Sequence, residues 1–180
     1  MELKEAQTIA DELIKELSTH FKKWLVCGSI RRRKEIVKDI DIVAIPKPES
    51  EYEFGEISLS RQVELLDPLG GKTKDVARFL NGPAIKRFQF KGISIDLYLA
   101  NEFTFETLVL IRTGSTEHNV RLTKIARNKG LKLFASGKGL CVIKGGIYEP
   151  EEIIKTVENT EKGILMNLLG KIPEPQERRN

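Results

Sequence analysis

The stretch GSIRRRKEIVKDIDIVAI, residues 28–45, sets a Gly-Ser pair and a run of four consecutive cations, Arg31 to Lys34, ahead of two aspartates spaced two apart on an apolar run. Side chains alternate along a strand, so Asp39 and Asp41 share one face while Ile40, Ile42 and Ala44 take the other and pack into a core. A second run, ISIDLYL (93–99), repeats the arrangement. Ile93, Ile95, Leu97 and Leu99 share its apolar face, and Asp96 points the opposite way beside Ser94 and Tyr98. If the two runs are neighbours in one sheet, three carboxylates converge above it. Acids that close cannot all stay ionised without cations between them. Mg²⁺ is the natural remedy, because it takes one or two carboxylates and fills its other positions with water and substrate phosphate. Two such ions about 4 Å apart lower the pKa of an attacking hydroxyl and stabilise a pyrophosphate leaving group.

The residues upstream supply the other half of a substrate site. Gly28 and Ser29 lie at a strand-to-helix turn, where backbone N–H groups and a hydroxyl cradle phosphate. Arg31, Arg32, Arg33 and Lys34 follow, and at least one is expected to face a triphosphate. An Asp-x-Asp on a strand is by itself more often a solvated edge. The preceding Gly-Ser, the basic run and the later Asp96 move the reading to metal.

The remainder of the chain bounds the setting. Its 180 residues suit one compact domain or two small lobes, and 31% charged against 40% hydrophobic residues is an ordinary globular balance. No apolar run approaches the roughly 18 residues of a membrane span. The opening MELKEAQTIADELIKEL is acidic and amphipathic, without the apolar core of a signal peptide, so the expectation is the cytoplasm, or a host's cytoplasm for a virus-encoded chain. Cys27 and Cys141 are far apart and belong to no Cys/His cluster, which excludes a zinc site and leaves two buried reduced thiols. Net charge is +4, but its distribution says more. Between Arg112 and Lys144 stand eight Lys or Arg against one acid, Glu117. Positive charge confined in this way is the mark of a polyanion-binding face, giving affinity without sequence preference.

Periodicity orders the elements. Leu3, Ala6, Ile9, Ala10, Leu13, Ile14 and Leu17 mark an amphipathic helix, and WLVC is a strand ending at Gly28. After the DIDIVAIP strand, closed by Pro46, residues 47–56 read as a loop or edge hairpin and RQVELLDPL as a short helix. A Gly-rich turn at 69–75 leads to another short helix ending near Asn81-Gly82. KRFQF and ISIDLYLA form a hairpin about Lys91-Gly92. From Phe103 the pattern is helical until Gly114-Ser115 breaks it, and a helix follows from about Ser115 to Lys129 with Gly130 beyond its end. LKLFASGKGLCVIKGG is a two-stranded ribbon. PEEIIKTV opens a helix with Pro in its first position. TEKGILMNLLG is a last helix before a Pro-rich tail. The fold class is α+β, a mixed α/β arrangement with a mixed sheet flanked by helices, followed by a small α/β lobe. The division falls at 1–102 and 103–180.

These motifs resemble the polymerase β-like nucleotidyltransferase superfamily, and in detail the family X DNA polymerases. VCGSIRRRKEIVKDIDIVAI resembles the palm motif, and ISIDLYLA the strand with the third aspartate. TGSTEHNVRLTKIARNKGLKL resembles the palm-to-thumb junction, and LLGKIPEP followed by Arg178 the end of the thumb. The resemblance implies a palm at 1–102, a DNA-binding thumb at 103–180, and a DNA-directed DNA polymerase that adds nucleotides to a primer 3′-hydroxyl in gap filling or repair. The alternative is a template-independent terminal nucleotidyltransferase acting on DNA or RNA ends. Asp39 and Asp41 would bind two Mg²⁺ ions, with Mn²⁺ as the alternative metal. Asp96 would bind the catalytic ion and help to remove the primer proton. Gly28, Ser29 and Arg32 would hold the triphosphate, Thr113 and Gly114 would face the sugar, and Asn119 the base or sugar. Arg31, Arg33, Arg112, His118, Arg121, Lys124 and Arg127 are further candidate nucleotide or DNA contacts, although His118 taken alone reads as a surface helix residue. Implied partners are primer-template or gapped DNA, nucleoside triphosphates and, as a candidate, a DNA ligase; the chain is expected to act as a monomer away from membranes.

Three departures qualify the resemblance. The chain opens on the helix before the Gly-Ser turn, so the N-terminal lyase and fingers modules of repair members are expected to be missing, and lyase activity with them, as in the stripped-down viral form. Ile111-Arg112 replaces the aromatic pair before Thr-Gly, which predicts weaker exclusion of ribonucleotides. Thr123 stands where many relatives place a template-stacking arginine, which predicts low fidelity.

Overall fold

The computed structural model describes residues 1–52, 56–72, 79–146 and 149–178. The chain divides into two compact units, Met1–Asn101 and Glu102–Asn180.

In the first unit, α1 (Leu3–Leu17) leads through a 3₁₀ turn into β1 (Phe21–Val26), the single-turn α2 (Gly28–Arg31) and β2 (Asp39–Pro46). Then come α3 (Leu59–Leu66), β3 (Leu80–Asn81), β4 (Ile85–Phe90) and β5 (Ile93–Leu99). The strands form one mixed sheet in the order β1-β2-β5-β4-β3, in which only β2 and β5 run parallel. The alternation read from the sequence holds. Ile40, Ile42, Ala44, Ile93, Ile95 and Leu97 pack against Ala6, Ile9, Ala10, Leu13 and Leu17 of α1 in one core. Lys91 and Gly92 both take positive φ (48° and 82°), the conformation that a two-residue hairpin turn requires, and this fixes the β4–β5 register.

One element differs from expectation here. Leu80–Asn81 is an edge strand and not the end of a helix; the rest of that expected helix, at 73–78, lies outside the described residues, as does part of the 47–56 loop. The strand is held from its side chain. Asn81 Nδ2 donates to Ser60 O (3.1 Å), and Asn81 Oδ1 accepts from the buried Lys86 Nζ (2.6 Å), which also donates to Ser60 Oγ (2.9 Å). Burial lowers the Lys86 pKa, and these neutral acceptors satisfy its donors.

The second unit contains α4 (Phe105–Thr113), α5 (Thr116–Asn128), β6 (Lys132–Phe134), β7 (Gly139–Gly146), β8 (Glu149–Glu158) and α6 (Glu161–Leu169). The three strands form an antiparallel sheet, β6-β7-β8. Leu110, Leu122, Ala126, Leu133, Leu140, Ile164, Leu165 and Leu168 make the core. The segment PEEIIKTV, expected to open a helix, is instead part of β8. Its run of β-branched residues, Ile153, Ile154, Thr156 and Val157, fits a pleated surface better than a helix, and β7 offers a pairing edge, with Ile143 opposite Ile153. Among the described residues no helix is long and apolar enough to cross a membrane, and Cys27 and Cys141 are buried free thiols.

Candidate active site

Parallel pairing of β2 with β5 sets Asp41 opposite Asp96 and Asp39 opposite Ser94. The two runs are therefore neighbours, and the three carboxylates belong to one face of the sheet. Their surroundings differ. Asp39 is exposed at the start of its strand, Asp41 is half-buried and Asp96 is 8% exposed.

Asp41 is set by the turn before it. Cys27 N donates to Asp41 O (2.7 Å), and Gly28 lies directly beneath the Asp41 carboxylate. A Cβ at position 28 would fall 2.0 Å from Asp41 Oδ2, and Gly28 has φ +55°, so glycine is required here for both space and conformation. Arg32 is buried and turns back to donate from Nη2 to Ser29 Oγ (3.4 Å). Arg31 and Arg33 instead line a depression with Leu3, Gln7 and Thr8 of α1. Of the basic run, Arg32 is thus the cation brought to Ser29.

Asp96 has a partner that the sequence reading missed. Arg87 on β4 grips it with a two-pronged ion pair, Nε to Oδ1 at 2.6 Å and Nη2 to Oδ2 at 2.7 Å, and Tyr98 Oη donates to Oδ2 at 3.1 Å. The hydrogen bond to Asp96 raises the Arg87 pKa. Among the described residues no group of three His, Cys, Asp or Glu side chains is arranged to hold a metal ion. The three acids fit a hard divalent cation in donor type and in shared face, while Arg87 occupies both oxygens of one of them.

In the second unit, Thr113 is buried and Gly114 takes φ 68° before Ser115, whose side chain caps α5 by accepting from His118 N (3.3 Å). Asn119 Nδ2 donates to Ile111 O (2.8 Å), while its buried Oδ1 has no hydrogen-bond partner among the described residues. His118 is not the surface residue that its isolated reading suggested: it is 7% exposed, because the tail folds over the start of α5. Arg178 anchors that tail, donating to Glu161 Oε1 (2.7 Å) and Pro173 O (3.2 Å), while its own carbonyl accepts from Ser115 N (3.4 Å). Burial, then the Arg178 and Arg121 guanidiniums, lower the His118 pKa to about 4. Arg112 is half-buried at the end of α4. Arg121, Lys124 and Arg127 are exposed on α5, and the last two, with Lys132, line a groove of about 430 Å³. Thr123 Oγ1 bonds back to Asn119 O (2.9 Å) within its own helix.

No family model matches the sequence. The chain is 31% identical over 135 residues to the DNA polymerase/3'-5' exonuclease PolX of Bacillus subtilis (strain 168), a match covering 73% of this chain and 22% of that protein. Two crystal structures of Leishmania infantum polymerase beta align over all of this chain. The ternary P/T complex does so with TM-score 0.65, 20% identity and 77% of its own chain covered; the ternary gap complex with 0.67, 16% and 71%. The chain has a family X polymerase-like fold. Within that fold it spans 22% of the length of the curated PolX relative.

Proposed function

We propose that the chain is the palm and thumb of a DNA-directed DNA polymerase, the palm lying in the first unit and the thumb in the second. The carrying observation is the single face shared by Asp39, Asp41 and Asp96, with the Gly28–Ser29 turn packed against Asp41. Carboxylates beside a phosphate-cradling turn suit nucleotidyl transfer, in which positioning and charge stabilisation supply most of the catalysis.

In this reading Ser29 and Arg32 bind the triphosphate through a hydroxyl and a charge-assisted donor. Asp39, Asp41 and Asp96 would hold two Mg²⁺ ions, or Mn²⁺, which supply Lewis-acid activation of a primer hydroxyl and charge neutralisation on the phosphates. Asp96 lies on the face from which a primer proton would leave. Thr113, Gly114 and Asn119 bear on the sugar and base, Asn119 Oδ1 being a buried acceptor without a partner among the described residues. The exposed Arg121, Lys124 and Arg127 contact phosphates of primer-template or gapped DNA, which is also what the polymerase beta complexes contain by description. Gap filling or end repair is the process this serves, with a ligase acting after it.

Thr123 favours a second reading, untemplated addition to DNA or RNA ends. Its hydroxyl is engaged within α5 and offers a template base no stacking surface. Extension of a gapped duplex with one nucleotide at a time separates the two. Incorporation that follows the template base, requires Mg²⁺ or Mn²⁺ and disappears in Asp39→Ala/Asp41→Ala is expected. Addition that ignores the template base selects the second reading, and activity retained by the double variant refutes both.

A further inference from the structure

We propose that Arg87 is a latch on Asp96, holding this carboxylate away from metal until its guanidinium fork is displaced. The inference rests on the metal reading above and adds to it a positioning residue from a different strand. The hairpin register sets Arg87 directly opposite Asp96, and the fork meets both carboxylate oxygens while Tyr98 takes a further site on Oδ2. An ionised carboxylate offers about four lone-pair sites. Three of them are engaged here.

A purely structural role explains little of this. The β4–β5 ladder already runs from Ile85–Tyr98 to Phe90–Ile93, so the hairpin does not need the pair to form. The side chains are 30% exposed for Arg87 and 11% for Asp96, so water screens the pair from the Arg87 side only. The chemical consequence is larger, because one cation competes with another for the same oxygens. Apparent affinity for a divalent ion scales with the fraction of molecules in which Asp96 is released. A latch closed nine-tenths of the time therefore weakens binding about tenfold.

The test measures Mn²⁺ binding to the nucleotide-free full chain by the paramagnetic resonance signal of free Mn²⁺. Arg87→Met is expected to bind Mn²⁺ about tenfold more tightly than the parent chain. Arg87→Lys, which keeps the charge and loses the fork, should gain part of this, and adding Asp96→Asn to Arg87→Met should abolish the gain. Tyr98→Phe, which leaves the ion pair in place, should gain about twofold and keeps the test open if the Arg87 variants unfold. Equal affinity in the parent, Arg87→Met and Arg87→Lys overturns the latch. So does a gain confined to Arg87→Met, which would be a matter of net charge alone. If Asp39→Ala/Asp41→Ala leaves Mn²⁺ binding unchanged, the metal reading itself falls and the latch with it, a result distinct from failure of the latch alone.

Discussion

A methyl group at position 28 would meet Asp41 at 2.0 Å from Oδ2 and 2.9 Å from Cγ, on a backbone that L residues rarely adopt. Gly28→Ala should therefore cost about 1–3 kcal/mol of stability, read by urea denaturation. It should also lower extension activity more than the unfolded fraction explains, since the relieved clash moves the carboxylate. His118 gives a prediction in pH. Its imidazole protonates near pH 6.5 when unfolded and near 4 when folded, so the unfolded chain binds more protons between these values. Stability should be full above about 6.5 and decline as pH falls toward 4. Burial first, then Arg178 of the tail and Arg121 on α5, sets this shift, and Lys171 and Glu177 line the same depression as the ring. Subtracting the urea midpoints of His118→Gln from those of the parent between pH 4 and 8 should isolate the decline. Arg87 shows what residue-level reading can miss despite a visible signal. Counting outward from the Lys91-Gly92 turn pairs Phe90 with Ile93 and, three steps on, Arg87 with Asp96. The hairpin was legible, and the count would have found the partner.

Elements were legible where periodicity and punctuation agreed. The α1 stripe, the two aspartate strands, the Lys91-Gly92 turn and the helix that starts after the Gly114-Ser115 break all stand where local pattern places them. The failures came where tertiary pairing decides. Strand β8 has Pro150 as its second residue, which suits a helix start, yet its pairing with β7 draws it into the sheet; β3 is two residues long and held by Asn81, so it has no period to read. The second unit also closes through a contact that sequence spacing does not reveal, the buried pair Arg178–Glu161, with side chains 2% and 9% exposed. Arg178→Met removes a guanidinium from the buried Glu161 carboxylate and should cost up to about 3–5 kcal/mol. Combining it with Glu161→Gln should recover a good part of that loss. A double-mutant cycle by thermal denaturation measures both, and equal melting temperatures for single and double variants would argue against the pair as the tail's anchor.

At the scale of the whole chain, charge is segregated, with the excess of cations lying between Arg112 and Lys144. If that excess meets DNA, affinity should fall linearly with the logarithm of salt concentration. Lys124→Gln with Arg127→Gln should make the slope shallower by about two and weaken binding similarly on unrelated duplex sequences. Fluorescence anisotropy across a salt series reads both quantities, and an unchanged slope would remove these two side chains from the interface.

The parallel pairing of β2 with β5 has a consequence for how the molecule comes into being. Asp41 and Asp96 are register partners but are synthesised far apart, whereas β5 pairs with β4 through a local hairpin. Local hairpins close in microseconds, whereas joining distant strands waits on the search of a long loop. The acidic face is therefore completed late, and a nascent chain on the ribosome would carry two of its three carboxylates until β5 emerges.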